Sequence, residues 1–195
     1  MSALPSAITP EMLRGLRLEG ERIYLRPVVS SDATPDYAGW LNDPETTRYL
    51  ESGAMAETVE SISAYIARYQ NRSDALFLAI VLRDGDRHVG NLKLEPIDWR
   101  HRKATLGIMI GDGAARGKGI GTEAVVLVLR FAFERLGLHR VALGVTADNL
   151  PGIKCYRGLG FVDEGRFREA ILRDHGYVDH LWMGILAEEF KARYG

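Results

Sequence analysis

Cysteine is almost missing from this chain: Cys155 stands alone among 195 residues. A single thiol excludes an internal disulfide and points to a reducing, cytoplasmic setting. Long hydrophobic runs are missing as well. No apolar stretch approaches the roughly 18 residues of a membrane-spanning helix. The first residues carry no basic segment followed by an apolar one, so neither a membrane span nor a signal peptide is expected. An excess of one charge is also lacking, since 25 Lys and Arg face 26 Asp and Glu. No global field therefore draws the protein to nucleic acid or to a membrane surface. The five histidines (His88, His101, His139, His175 and His180) show no metal-ligand spacing, and no metal is expected. Internal repeats and low-complexity tracts are absent from the sequence.

What is present is enough apolar residue, 46%, for one sizeable core. Residues 1–20 read as a tail or a short surface helix, 21–187 as the domain, and 188–195 as a C-terminal tail. Arg22 to Val28, Ala75 to Leu82, His88 to Leu94, Ala104 to Ile110, Val141 to Val145, Phe161 to Leu172 and Val178 to Leu186 have strand character. Asp84-Gly85-Asp86, Trp99 to Lys103 and Asp174-His175-Gly176 read as turns. A short helix runs through Trp40-Leu41. Glu57 to Asn71 is a clear amphipathic helix, with Val59, Ile62, Ile66 and Tyr69 at helical spacing and Thr58 as its cap. Thr122 to Leu136 is a second long helix closed by Gly137. A third starts after Asn149 with Pro151 in its first turn. Together these give a mixed α/β (α+β) sheet with helices.

The rest is organised around Met109 to Glu123, MIGDGAARGKGIGTE. A strand, a Gly-rich basic turn and a helix N-terminus follow one another here. The glycines let the backbone come close to a ligand, and the unpaired N–H groups of a helix start present a positive dipole end. That arrangement binds an anion such as a pyrophosphate. It is not a P-loop, because Lys118-Gly119 is not followed by Ser or Thr, and it is not G-x-G-x-x-G, because Gly121 comes one position early.

The stretch resembles the acetyl-coenzyme A motif of the GNAT superfamily of N-acetyltransferases, R/Q-x-x-G-x-G/A, with Arg116, Gly119 and Gly121 at its defined positions. Leu138-His139-Arg140-Val141, Asp148-Asn149 to Tyr156 with Leu159-Gly160-Phe161, and Glu164-Gly165-Arg166 through Gly176 to Asp179 look like the RimJ/RimL-like branch, which also resembles polyamine acetyltransferases. The resemblance covers about Arg22 to Leu186. It implies a GNAT fold, with a mixed, mostly antiparallel sheet of about seven strands splayed between the fourth and fifth, and helices on both faces. It implies transfer of acetyl from acetyl-CoA to an amine by direct attack. Gly107, Ile108, Met109 and Ile110 would bond the pantetheine. Arg116, Gly117, Lys118, Gly119, Ile120, Gly121 and Thr122 would bind pyrophosphate, Asn149 would contact the cofactor arm, and Lys154 could lie near a phosphate. Tyr156 matches the family's tyrosine general acid. The acidic base of related enzymes is replaced by Lys93 and Thr105, leaving Glu95 and Asp98 nearby, of which Glu95 is the candidate.

Each of these residues has an ordinary structural alternative. Asn149 could be a helix cap and Tyr156 a half-buried core residue; Cys155 reads as a small core residue. A module that binds acyl-CoA without catalysis is the alternative to an enzyme. The acceptor could be a peptide N-terminus, an amino sugar, an aminoglycoside-like amine or a polyamine, and a homodimer is compatible with the chain. Around the expected acceptor site, Asp43, Glu45, Glu51, Glu95 and Asp98 are balanced by Arg48, Lys93, Arg100, Arg102 and Lys103. That balance lacks the concentrated acidity a polycation needs. An acceptor with one reactive amine is expected, not spermidine.

Overall fold

The computed structural model describes residues 4–50, 56–173 and 176–195. In chain order the elements are α1 (Pro10–Leu13), β1 (Leu18–Glu19), β2 (Ile23–Pro27), α2 (Pro35–Asn42), α3 (Pro44–Thr47), α4 (Val59–Tyr69), β3 (Leu76–Leu82), β4 (Arg87–Asp98) and β5 (Lys103–Ile110). Then follow α5 (Ile120–Arg130), β6 (Arg140–Thr146), α6 (Leu150–Leu159), β7 (Val162–Arg173), β8 (Gly176–Leu186) and α7 (Ala187–Tyr194). The continuous apolar run of β3, LFLAIVL, is explained by its place inside the sheet with both faces covered.

The eight strands lie in the order β1-β2-β3-β4-β5-β6-β8-β7. Seven were expected; the extra one is Leu18–Glu19, paired with β2 through Leu18↔Leu25 and Glu19↔Tyr24. Two residues are too short for alternation to reveal. The segment read as a tail or a short surface helix contains the short helix α1, and Ile8 ahead of it is buried in the core. At the other end, the expected tail is α7, which buries Phe190 against Phe133 at 5.4 Å between ring centroids. The turn expected at Asp174-His175-Gly176 falls largely outside the described residues.

Two cores flank the sheet. On one face β3 to β6 pack Leu92, Leu94, Leu106, Val141, Leu143 and Val145 against the buried stripe of α5, Ala124, Val125, Val128 and Leu129. Each fully buried Val or Leu there adds about 1.5–3 kcal/mol. On the other face Tyr24, Phe77, Ala79 and Val81 meet Tyr37 of α2 and Ile62 and Ile66 of α4. Thr58 caps α4, its Oγ1 accepting from the Ser61 N–H at 3.2 Å. The helix expected over Thr122 to Leu136 starts two residues earlier, and its last turn, Phe131–Arg135, widens to π geometry, with the Leu136 N–H donating to the Phe131 carbonyl at 3.0 Å.

One pairing is parallel, and it is brief. β5 meets β6 only at Lys103↔Arg140, Ala104↔Val141 and Thr105↔Ala142. Beyond Thr105 the strands part, leaving an open gap between Leu106–Ile110 and the second half of β6. All other strand pairs are antiparallel.

Candidate active site at the gap between β5 and β6

Strand chemistry divides the gap-lining residues into two sets. In an antiparallel ladder alternate residues turn both backbone groups to the same neighbour. The Gly111 N–H donates to the Val89 carbonyl of β4 at 2.9 Å, whereas the Ile110 carbonyl accepts from Arg116 Nε at 3.1 Å and the Arg102 carbonyl from the His139 N–H at 2.7 Å. Odd-numbered residues of β5 therefore turn to β4, and even-numbered ones turn toward β6 and the gap. Of Gly107, Ile108, Met109 and Ile110, it is Ile108 and Ile110 whose amides face the opening. The side chains of these two also line a cavity of about 130 Å³ with Gly121, Val125, Gly152, Cys155 and Tyr156.

At the upper end of the gap, Gly117 and Gly119 adopt positive φ of 70° and 76° on either side of Lys118. No side chain caps α5, whose N-cap is Gly119. Its first N–H groups therefore point out of the helix with no carbonyl one turn earlier to meet them. Gly117, Lys118 and Thr122 are exposed, Gly121 is half-buried, and Ile120 is anchored in the core. Arg116 does not reach outward. Its guanidinium donates to the carbonyls of Ile110 and Gly111, the latter at 3.1 Å, and to Thr46 Oγ1, and it pairs with Glu45 at 3.6 Å and Asp43 at 3.9 Å. It shapes the loop from behind.

A second brace went unnoticed in the sequence. Glu123 Oε1 accepts from the backbone N–H groups of Arg22 at 2.9 Å and Ile23 at 3.4 Å, and Oε2 from Arg22 Nε at 2.9 Å. The same guanidinium donates to the Lys118 carbonyl. The start of β2 thus holds the first turn of α5 and the glycine loop together. A glutamate within the glycine motif facing an arginine at a strand start is a weak sequence signal, because the pair is 101 residues apart. Burial works against the ionised Glu123, but these donors outweigh it and hold its carboxyl below the ordinary 4.5. Glu123→Ala is expected to lose about 1–3 kcal/mol of stability in urea melts, because the N–H of buried Ile23 and the more exposed donors of Arg22 lose a charged acceptor. The difference from wild type should be full above pH 4.5 and shrink as pH falls through the lower folded-state value. An unchanged urea midpoint at neutral pH would dismiss the brace.

The remaining predicted residues divide. Tyr156 lies in the cavity wall, edge-on to Phe161 at 5.9 Å, and burial, then the nearby Cys155, pushes its phenol up to about 12. Asn149 caps α6 through Oδ1, which accepts from the Gly152 N–H at 3.0 Å; its amide nitrogen remains the group for any ligand. Lys154 is exposed on α6, and Cys155 Sγ lies 3.3 Å from Thr122 Oγ1, tying α6 to the start of α5. Glu95 is enclosed by the Tyr69 hydroxyl, Arg72 and Lys93 Nζ, the last at 3.1 Å. Burial would raise its pKa, but the hydrogen bonds from Tyr69 and Lys93 and the Lys93 charge outweigh it and hold the carboxyl low. A carboxylate so well satisfied is a poor proton acceptor. Asp98 is level with Lys103, below the point where the gap opens, and accepts from the His101 N–H at 2.9 Å. Thr105 sits where the strands still pair. Among the described residues no group of His, Cys, Asp or Glu could hold a metal, and no helix is long and apolar enough to cross a membrane.

Comparison with known proteins agrees with this arrangement. The family described as acetyltransferase (GNAT) domain matches residues 22–162. A Bacillus subtilis protein named "Probable N-acetyltransferase YjcK" is 32% identical over 178 residues, covering 87% of this chain and 96% of that one. The spermidine N(1)-acetyltransferase of Escherichia coli K12 is 28% identical over 173 residues, covering 88% and 90%. The solved spermidine N-acetyltransferase of Vibrio cholerae, in complex with CoA and spermine, shares the fold with a TM-score of 0.81 at 22% identity, covering 88% and 99%. The glycine loop ahead of α5, the parting of β5 from β6 and these likenesses converge: the chain belongs to the GNAT acetyltransferases, and it is an N-acetyltransferase.

Proposed function

We propose that acetyl-CoA lies along the gap, with its pyrophosphate on the N–H groups of Gly117 to Thr122, and that the protein acetylates a single primary amine of a peptide N-terminus or an amino sugar. The observation that carries the reading is the uncapped start of α5, opening straight into a cavity lined by Ile108, Ile110 and Tyr156. The donor brings a thioester carbonyl and a thiol leaving group. Ile108 and Ile110 offer the pantetheine the free edge of a strand. Tyr156, kept protonated by burial, hands its proton to the departing sulfur. Lys118 adds positive charge beside the phosphates, and the Asn149 amide nitrogen is in reach of the pantetheine arm. Lys154 contributes at most at the rim.

The amine must attack in its neutral form. At pH 7 only about 0.1% of an ordinary lysine amine is neutral, against about a tenth of an α-amine. The carboxylates counted in the sequence do not supply a polycation site. Asp43 and Glu45 face Arg116, Glu95 is enclosed by Arg72 and Lys93, and Asp98 lies below the gap; Glu51 lies outside the described residues. The aromatic faces of Tyr65 and Tyr69 are already covered by Arg68 and Arg72. The second reading, spermidine as acceptor, is favoured by the Escherichia coli relative. Specificity constants for spermidine, α-amine peptides and amino sugars at two salt concentrations separate them. Peptides or amino sugars are expected to lead by at least tenfold, and strong, salt-sensitive turnover of spermidine above all others would reverse the assignment.

The RimJ/RimL-like branch is the finer family placement we propose, supported by Leu138 to Val141 and Leu159-Gly160-Phe161. A cytoplasmic site of action fits the lone free Cys155. A homodimer would use β7, an edge strand exposed along most of its length.

A further inference from the structure

Gly107 and Gly144 stand level with each other across the gap, each two residues beyond the last pair, Thr105↔Ala142. Both strands have just parted there. The stem of Lys93 lies over Gly107, with Cγ and Cε each 3.4 Å from the place of a Cβ. On β6 the imidazole of His180 lies over Gly144, and a Cβ there would stand 2.2 Å from Nε2 and 2.5 Å from Cε1. Only a glycine admits the ring so close to the strand. His180 sits opposite Thr146 on β8 and edge-on to Trp182, with ring centroids 6.3 Å apart.

The two faces of the sheet are not equivalent at this level. Val141, Leu143 and Val145 turn to the core beneath α5 and α6, whereas Ala142, Gly144 and Thr146 turn to the other face, together with Gly107, Met109 and His180. The first face is filled by helices and holds Tyr156. With the cavity on the first face taken up by the cofactor, the second face is left for the amine.

Resting on the acetyl-transfer reading above, we propose that His180 is the general base of the reaction, accepting the acceptor's proton at the mouth of the gap. As the amine nitrogen bonds to the thioester carbon, its proton passes to the imidazole. As the carbon–sulfur bond breaks, the Tyr156 proton passes to sulfur. The products are the amide and the free thiol, and imidazolium and phenolate reset by proton exchange with water. Base and acid stand on opposite faces of the sheet, so each meets its own partner: the entering nitrogen or the leaving sulfur. A neutral imidazole carries one ring nitrogen that accepts a proton, the chemistry a general base needs. Among the described residues, the charged side chains that strand register brings to its neighbourhood are Arg173 of β7, which donates to Thr146 Oγ1 at 3.3 Å, Asp148 beyond the end of β6, Lys93 across the gap with Glu95, and the Arg166–Asp179 pair. Asp179 is on the opposite face of β8.

The test uses the whole protein. The His180 imidazole signals, assigned by their loss in His180→Gln, are followed by NMR as acetyl-CoA is added. They are expected to shift in step with the rise in melting temperature, and signals that stay put at saturation would overturn the proposal. In a thiol-release assay with the best acceptor among peptides, amino sugars and spermidine, His180→Gln is expected to lower kcat/KM by about 10²- to 10³-fold at pH 7. Acetyl-CoA affinity and melting temperature should stay near wild type. Added imidazole should restore part of the rate of His180→Ala. A variant as active as wild type removes His180 from the chemistry while leaving the acetyl-transfer site intact. A wild-type protein that binds acetyl-CoA yet acetylates no member of the panel would sink the acceptor reading and the base with it.

Discussion

Gly121→Glu should abolish the acetyl-CoA-dependent rise in melting temperature while leaving the protein folded. Gly121 lies in α5 without a positive φ, and the nearest atoms a Cβ there would meet are Ile110 Cγ1 at 3.7 Å and the Cδ1 atoms of Ile108 and Ile110 at 3.9 Å. The backbone therefore accepts a side chain without strain. What changes is the site: the new carboxylate enters the cavity shared with Ile108, Ile110 and Tyr156 and brings negative charge to the end of α5 that should meet a pyrophosphate. A ligand present at 100 times its Kd stabilises the folded state by about 2.7 kcal/mol, so loss of binding is visible as loss of that whole shift. Gly121→Ala separates size from charge, and a loss of about tenfold in affinity or less is expected. Gly119 is a poorer test position. Its φ of 76° strains any side chain, and a Cβ would come within 3.1 Å of the Arg22 guanidinium that braces the loop, so failure to bind could follow from misfolding. A folded Gly121→Glu protein with wild-type acetyl-CoA affinity would remove the loop from the binding site.

The fold was legible in the sequence wherever period and punctuation agreed. The core helices were visible from Thr58, Gly137, Asn149 and Pro151, and the strands from runs such as Leu76 to Leu82, because burial on one or both faces leaves a pattern of fixed period. What stayed hidden has a physical reason in each case. The two-residue β1 has no period at all. The C-terminal helix α7 is mostly polar and buries only Phe190. β4 runs on to Asp98 although Pro96 interrupts its ladder, because the register slips between Leu94 and Ile97 and pairing resumes at Ile97↔Ala104.

The site was less legible than the fold, since its backbone was visible and its side-chain partners were not. The glycine loop is a local feature, and its conformation follows from Gly117 and Gly119. The direction of Arg116 depends on Thr46, Asp43 and Glu45, some 70 residues earlier. Glu95 appears as a free carboxylate in the sequence, because Tyr69 and Arg72 come from α4 and the turn after it. His180 carries no motif, and only strand register shows that it covers Gly144. Long-range pairing decides which charged group is available for chemistry and which is already satisfied.

Tyr156→Phe should lower the rate of acetyl transfer by about 10²-fold, the lower end of what general acid catalysis supplies, with acetyl-CoA affinity nearly intact. The substitution removes one oxygen from a ring that otherwise keeps its contacts with Phe161 and the cavity wall, so binding and folding have little reason to change. Burial pushes the phenol to about 12, and at neutral pH it is almost wholly protonated. It can therefore give a proton to sulfur throughout the working range, and its own titration should appear only on the far alkaline side of the pH profile. The two candidate proton carriers thus predict different signatures. Loss of Tyr156 should depress the profile uniformly at acid and neutral pH, and added imidazole should restore part of the rate only where His180 is the residue lost. Single-turnover measurements, in which product release is not rate-limiting, are the right readout. If Tyr156→Phe transfers acetyl at the wild-type single-turnover rate, the leaving thiolate finds its proton elsewhere, and Tyr156 is a wall residue of the cavity and nothing more.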